Sequence, residues 1–168
     1  PNSSKSKSCC AGIDITDAKK VAEQYNFPHH VFDYQDKFFN GVINKFVDSY
    51  ANGETPVPCI QCNQTVKFSD LLKESQNLNA DALITGHYAI RKGGLRKSKL
   101  FKAKDKTKDQ SYFLFATLQD QLDYVRFPVV NYLKSEIRQM ADDYNLLVSD
   151  KPDSQDICFV TSDSYRDL

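Results

Sequence analysis

Residues 81–87 read DALITGH, an apolar run of Ala82, Leu83 and Ile84 closed by Thr85, Gly86 and His87. A short apolar run bounded by turn residues predicts a buried strand. Glycine at its end leaves a ligand free to approach the backbone. Upstream, Ala18, Val21, Ala22 and Tyr25 recur at helical spacing behind Thr16, a cap candidate, and predict a helix over 14–26. HHVFDY (29–34) predicts a short strand. Phe38, Phe39, Val42, Ile43, Phe46, Val47 and Tyr50 form one apolar face of a helix over 35–51, stopped by Asn52 and Gly53. After the turn TPVPC (55–59), Asn63 is the expected cap of a helix to about Gln76, with Val66, Phe68, Leu71 and Leu72 inward. Downstream, YAIRK (88–92) and LRKSKLFKA (95–103) predict a β-hairpin around Gly93 and Gly94. KDQSYFLFATL (108–118) passes from polar residues into an apolar helical turn, and Phe127-Pro128 makes a break. A helix over 134–144 follows, with Ile137, Met140 and Ala141 inward; then come a polar loop, SDKPDSQD (149–156), and a short strand, ICFV (157–160), that contains Cys158.

Helices alternating with short apolar strands define an α/β fold, a mostly parallel sheet flanked by helices. In such sheets ligands bind past the carboxyl ends of strands, the place of Thr85, Gly86 and His87. With 168 residues the chain fits one ordinary domain, and 22 basic and 22 acidic side chains cancel. Zero net charge excludes a strongly polybasic protein, and 40% hydrophobic residues exclude disorder throughout. No stretch reaches the roughly twenty apolar residues of a membrane span, and Pro1–Ser8 has no apolar signal region, so a soluble, cytoplasmic protein is expected. The positive charge is nevertheless clustered: residues 91–108 hold nine Lys or Arg and one acid, Asp105. That pattern suits either a solvated hairpin with lysine-guarded edges or a nucleic-acid surface.

Five cysteines, Cys9, Cys10, Cys59, Cys62 and Cys158, cannot all pair internally, which argues against a secreted disulfide scaffold. The CxxC of Cys59 and Cys62 is compatible with a redox dithiol, half a zinc site or incidental spacing. No second CxxC follows, and His29, His30 and His87 form no HxxxH.

Four segments carry a resemblance: GETPVPCIQCNQTVKF (53–68), ADALITGHYA (80–89), KDQSYFLF (108–115) and PDSQDICFV (152–160). In this order they resemble the bacterial tRNA-specific 2-thiouridylases, the MnmA/TrmU family, over nearly the whole chain. The resemblance implies a PP-loop ATPase fold, a Rossmann-like parallel sheet, and ATP-dependent 2-thiolation of the wobble uridine of tRNA. The family's SGGxDS phosphate loop does not occur in this sequence. We therefore expect residues 1–168 to be a partial catalytic domain lacking the first strand, the phosphate loop and the later tRNA-binding domains, and to bind ATP poorly by itself.

Thiolation makes its own demands. The carbonyl oxygen must become a leaving group, which adenylation achieves. A persulfide on one cysteine must then deliver sulfur while a second thiol attacks it and forms a disulfide. By the resemblance Cys62 is the nucleophile and Cys158 the persulfide carrier. With Asn63 opening a helix, the Cys62 sulfur is expected near the positive helix end, which favours thiolate. Val57, Pro58 and Cys59 match the segment that contacts the target base, with Val57 where the family commonly has Asn and Cys59 expected as a pocket wall. Gly86 matches an ATP-contacting glycine, His87 a tRNA-contacting residue, and Lys108, Asp109 and Gln110 the tRNA-interacting triplet. With that triplet beside it, the basic hairpin is expected to help hold tRNA. ATP, Mg²⁺ and a cysteine desulfurase or sulfur-relay protein are implied in the same way. Asp142 and Asp143 are expected on a solvated helix face, and Asp153 and Asp156 flank the loop before Cys158. The rival expectations are another PP-loop ATP-dependent ligase, which needs no cysteine pair, and an inactive RNA-binding module.

Overall fold

A computed structural model describes residues 12–94, 96–153 and 157–160. Cys9, Cys10 and Asp156 lie outside them, as do Ser154 and Gln155 of the expected polar loop. The chain is α/β and divides into two compact units, residues 34–137 and the pair of segments 1–33 and 138–168.

In the larger unit, α2 (Gln35–Phe38) continues through a π-helical turn, Phe39–Ile43, into α3 (Asn44–Ala51). Val42 and Phe46, four residues apart, are its buried pair. Gly53 ends the run at φ +78°, a left-handed cap that glycine takes without steric cost. The next helical run consists of α4 (Pro58–Cys62), a π-helical stretch, Asn63–Leu71, and α5 (Leu72–Asn77). It opens five residues earlier than the expected Asn63 cap. Val57 is extended (φ −114°, ψ 88°), as a residue before proline must be, and Pro58 occupies the first helical position, where its missing N–H costs nothing. Asn63 itself has helical dihedrals (φ −63°, ψ −42°), so it sits inside the helix and caps nothing. The proline that presets φ outranks a polar residue ahead of an apolar face.

β1 (Leu83–Ile84) pairs in parallel with β4 (Val125–Arg126), Leu83 opposite Val125, and the Thr85 N–H donates to the Arg126 carbonyl at 3.0 Å. Between them in sequence, Ser111–Leu114 forms a 3₁₀ turn, and α6 (Gln119–Tyr124) leads into β4. Phe68, Leu72, Ala89, Leu114, Leu122, Val125 and Phe127 bury one another and form the core.

The expected hairpin is present: β2 (Ala89–Lys92) runs antiparallel to β3 (Lys99–Lys102). At its tip Gly93 has φ +136°, and a Cβ there would stand 2.8 Å from the Ser98 Cα, so only glycine fits. Two side chains fasten this tip. Arg91 donates to the carbonyls of Gly93, Gly94, Leu122 and Asp123. The Asp123 carboxylate accepts the N–H of Lys97 at 3.1 Å and of Ser98 at 2.8 Å. Hydrogen bonding from Ser98, its side chain first and then its backbone N–H, holds the Asp123 carboxyl below the usual aspartate range.

In the smaller unit, α1 (Gly12–Gln24) buries only Ala22. Thr16 is no cap: its hydroxyl donates to the Gly12 carbonyl at 2.8 Å, one turn back within the helix. α7 (Lys134–Asp143) begins in the larger unit and ends in the smaller, with Ile137, Met140 and Ala141 half-buried and Asp142 and Asp143 exposed. Two expected strands are turn or irregular chain. Residues 29–34 pair with no described strand, and 157–160 close a turn in which the Val160 N–H donates to the Ile157 carbonyl at 3.1 Å. Apolar alternation makes a strand only where a neighbour completes its hydrogen bonds. No helix among the described residues is long and apolar enough to cross a membrane.

Candidate functional site

The helical run that begins at Pro58 carries three of the candidate residues, with a fourth just before it. Val57 precedes it, Pro58 is buried, Cys59 is exposed, and Cys62 is half-buried at the fifth helical position. The expected electrostatic argument for Cys62 is corrected by this placement. The field of a helix end fades within the first turn, and Pro58 to Gln61 fill that turn. Val57 and Pro58 line an open groove of about 450 Å³ together with Val42, Lys45, Phe46 and Gln61. Cys59 is not among the groove's lining residues.

Asn63, adjacent to Cys62, is 3% exposed and donates its Nδ2–H to the Phe113 carbonyl at 3.0 Å, tying the cysteine helix to the KDQSYF segment. Its Oδ1 is buried without a hydrogen-bond partner. Sequence reading missed this link because Phe113 is fifty residues away; the signal available was a polar side chain inside an apolar helical face.

At the carboxyl end of β1, Gly86 is exposed, with no atom within 4 Å of where a Cβ would stand. This open backbone fits the approach of a nucleotide. His87, next to it, is turned to structural use. Its Nδ1 lies 2.8 Å from the Thr85 hydroxyl, and its ring packs against Phe68 (5.9 Å between centroids) and edge-on to Phe127 (6.1 Å). Burial, reinforced by the charge of Lys67, pushes its pKa down to about 4, so it is neutral at pH 7.

The triplet is similarly built in. The Gln110 side chain accepts the Tyr88 N–H at 2.9 Å while the Gln110 N–H donates to the Tyr88 carbonyl at 2.8 Å. The Asp109 carboxylate accepts from the Ala103 N–H at 2.7 Å and from the Ser111 hydroxyl at 2.8 Å. Burial raises the Asp109 pKa, but these donors outweigh it and the net shift is downward. These acceptor oxygens fasten the loop to Tyr88 and Ala103, the residues that flank β2 and β3. Lys108 is half-buried, and its N–H donates to the Asp105 carbonyl at 3.1 Å.

Cys158 belongs to the other unit, half-buried in the turn after the polar loop. In that loop Arg138 donates to the Lys151 carbonyl and pairs with Asp153 at 3.4 Å. Among the described residues no group of three or more His, Cys, Asp or Glu is placed to hold a metal ion.

A family model described as the tRNA methyl transferase HUP domain matches residues 1–162. The chain belongs to this family. Among curated relatives of this HUP-domain chain, the tRNA-specific 2-thiouridylase MnmA of Orientia tsutsugamushi (strain Boryong) is 56% identical over 160 residues, 95% of the chain and 43% of the relative. MnmA of Dinoroseobacter shibae is 54% identical over 165 residues, covering 98% and 43%. MnmA of Rickettsia peacockii (strain Rustic) is 52% identical over 164 residues, covering 98% and 45%. The chain thus spans less than half the length of these relatives.

Proposed function

We propose that the chain supplies the sulfur-handling part of a cytoplasmic tRNA uridine 2-sulfurtransferase. The observation that carries the reading is the identity of more than half, over 95–98% of the chain, to proteins named tRNA-specific 2-thiouridylase. It is supported by the presence of both cysteines that the relay requires, Cys62 on a helix packed to the core unit and Cys158 in a turn.

In this reading Cys158 receives a sulfane sulfur from a desulfurase or relay protein and holds it as a persulfide. The terminal sulfur forms a bond to C2 of the uridine as the C2–O2 bond breaks, the activated oxygen leaving with the adenylyl group as AMP. The Cys62 thiolate then attacks the Cys158 sulfur, the S–S bond to the transferred atom breaks, and its electron pair stays with that atom. The two cysteines end as a disulfide, which a thiol reductant must open before the next turnover. ATP, when bound, supplies the adenylyl group that makes the uridine O2 a leaving group, and Gly86 is the residue of this chain that would meet it. Val57, Pro58 and Cys59 would face the target base. Lys108 would meet phosphate, and Asp109 and Gln110 would fix its loop, their oxygens being spent on Ala103, Ser111 and Tyr88. His87 would present a neutral imidazole beside the tRNA.

The test uses the full-length protein with its tRNA, ATP and a persulfide donor, and reads thiolated tRNA by its retardation in a mercury-containing gel. Cys62→Ser and Cys158→Ser are each expected to lower product by at least about 100-fold while tRNA binding is retained. Cys59→Ser should retain turnover. Full activity of Cys158→Ser would sink the relay and favour a PP-loop ligase that uses no cysteine pair.

A further inference from the structure

The two faces of the hairpin are built from different materials. Cross-strand partners share a face, so the register puts Ala89, Arg91, Leu100 and Lys102 on one side and Ile90, Lys92, Lys99 and Phe101 on the other. The first side is anchored: Ala89 is fully buried, Leu100 packs against the core, and Arg91 is held by four carbonyls. The second side is open. Lys92 and Lys99 are exposed and stand directly opposite each other, and Phe101 is 43% exposed with the Lys92 Nζ 5.4 Å from its ring centroid.

Like charges directly opposite each other destabilise a strand pair. Neither lysine takes part in an ion pair among the described residues. Guarding a sheet edge needs a lysine on each edge, but not two face to face beside an exposed aromatic ring on the same side of the hairpin. An anionic strand would relieve the repulsion, and the ring next to the pair, already under Lys92, offers a stacking platform. A-form RNA duplexes hide their base faces, whereas unpaired nucleotides offer a π-face and flanking phosphates. The anchoring of the tip by Arg91 and Asp123 means that little ordering remains to be done on binding.

We propose that the outer face of the hairpin, Lys92, Lys99 and Phe101, binds an unpaired segment of the RNA substrate, with a base on Phe101 and phosphates on the two lysines. This deepens the tRNA reading above and rests on it for the identity of the RNA. The experiment titrates full-length protein with its tRNA and with an unstructured oligouridine across a range of salt. Lys92→Gln/Lys99→Gln should lower the slope of log affinity against log salt by about 1.4, and affinity at 0.15 M salt about tenfold. Phe101→Ala should weaken binding at least about fivefold with the slope unchanged, and Phe101→Tyr should restore it. Thiolation at saturating tRNA should stay near wild type in all three, because none of these residues is placed in the sulfur chemistry. Unchanged affinity and slope in variants that fold as wild type overturn the inference even if the protein thiolates tRNA. Failure of the wild type to bind either RNA also overturns it. Wild type that binds RNA on this face but leaves it unthiolated overturns only the function proposed above.

Discussion

Between Val42 and Phe127 the chain buries large side chains, Phe68, Leu114, Val42 and Val125 being fully enclosed, whereas among the described residues of segments 12–33 and 138–160 the only buried apolar side chain is Ala22. Ile13, Phe27, Val31, Tyr144 and Leu147 of those segments stand more than half exposed. What ties that smaller unit together is polar: the Tyr25 hydroxyl and the Gln24 amide donate to carbonyls at 144–145, and Lys151 pairs with Asp14 and Asp17. The candidate residues divide along the same line. Cys62, Gly86, His87 and the triplet stand on the unit that holds the core cluster, and Cys158 on the smaller unit. In the proposed relay, a rigid platform suits groups that must be positioned, and a weakly packed segment suits a carrier that must be loaded from outside.

The largest effect expected of this division is at Phe68, 1% exposed and packed both in the core and against the His87 ring. Phe68→Ala should cost about 4 kcal/mol in urea denaturation of the intact protein. A loss below about 1 kcal/mol would mean that the core does not carry this unit.

His87 gives a second, pH-dependent measure of the same enclosure. Its folded pKa of about 4 lies below the ordinary 6.5, so between these values the unfolded chain binds the proton first. The contribution is intact above pH 6.5, falls as the pH drops, and is lost by about pH 4, a span of about 3 kcal/mol. His87→Gln removes the titration, and its stability profile over pH 4–6.5 should be flatter than wild type by that amount. Equal slopes would place the imidazole in solvent.

The elements that sequence made legible are those defined by local pattern. The helix of Val42 and Phe46, the strand β1 and the glycine-tipped hairpin formed where expected, since spacing and turn chemistry suffice for them. The expected burial did not follow throughout: Ile84 of β1 and Phe39 and Tyr50 of the helical face are exposed, because burial depends on distant neighbours. The misread elements depended on something distant. Residues 29–34 and 157–160 have strand composition but join neither of the described sheets. The Asn63 cap failed because Pro58 already starts the helix and the Phe113 carbonyl, far along the chain, claims the amide. At the site, residue identities were readable but their internal commitments were not. Nothing in KDQ reveals that Asp109 holds Ala103 or that Gln110 clasps Tyr88, since those partners lie six and twenty-two residues back.

The smallest effect tests the polar half of the comparison. Lys151 sits between Asp14 and Asp17 on the face of α1, and both carboxylates hold its pKa above the ordinary lysine value. The pair is solvent-exposed, so side-chain entropy and salt screening offset most of its attraction. Lys151→Ala should lower the melting temperature by less than about 2 °C, and 1 M salt should erase the difference. Hydrogen exchange in α1 is the sharper readout. If these ion pairs are what hold the helix to its neighbours, the amides of 17–24 should exchange faster in the variant while those of 68–72 do not change. A shift as large as that of Phe68→Ala would instead show that the smaller unit draws its stability from charge, and the contrast between the two regions would then be one of kind and not of strength.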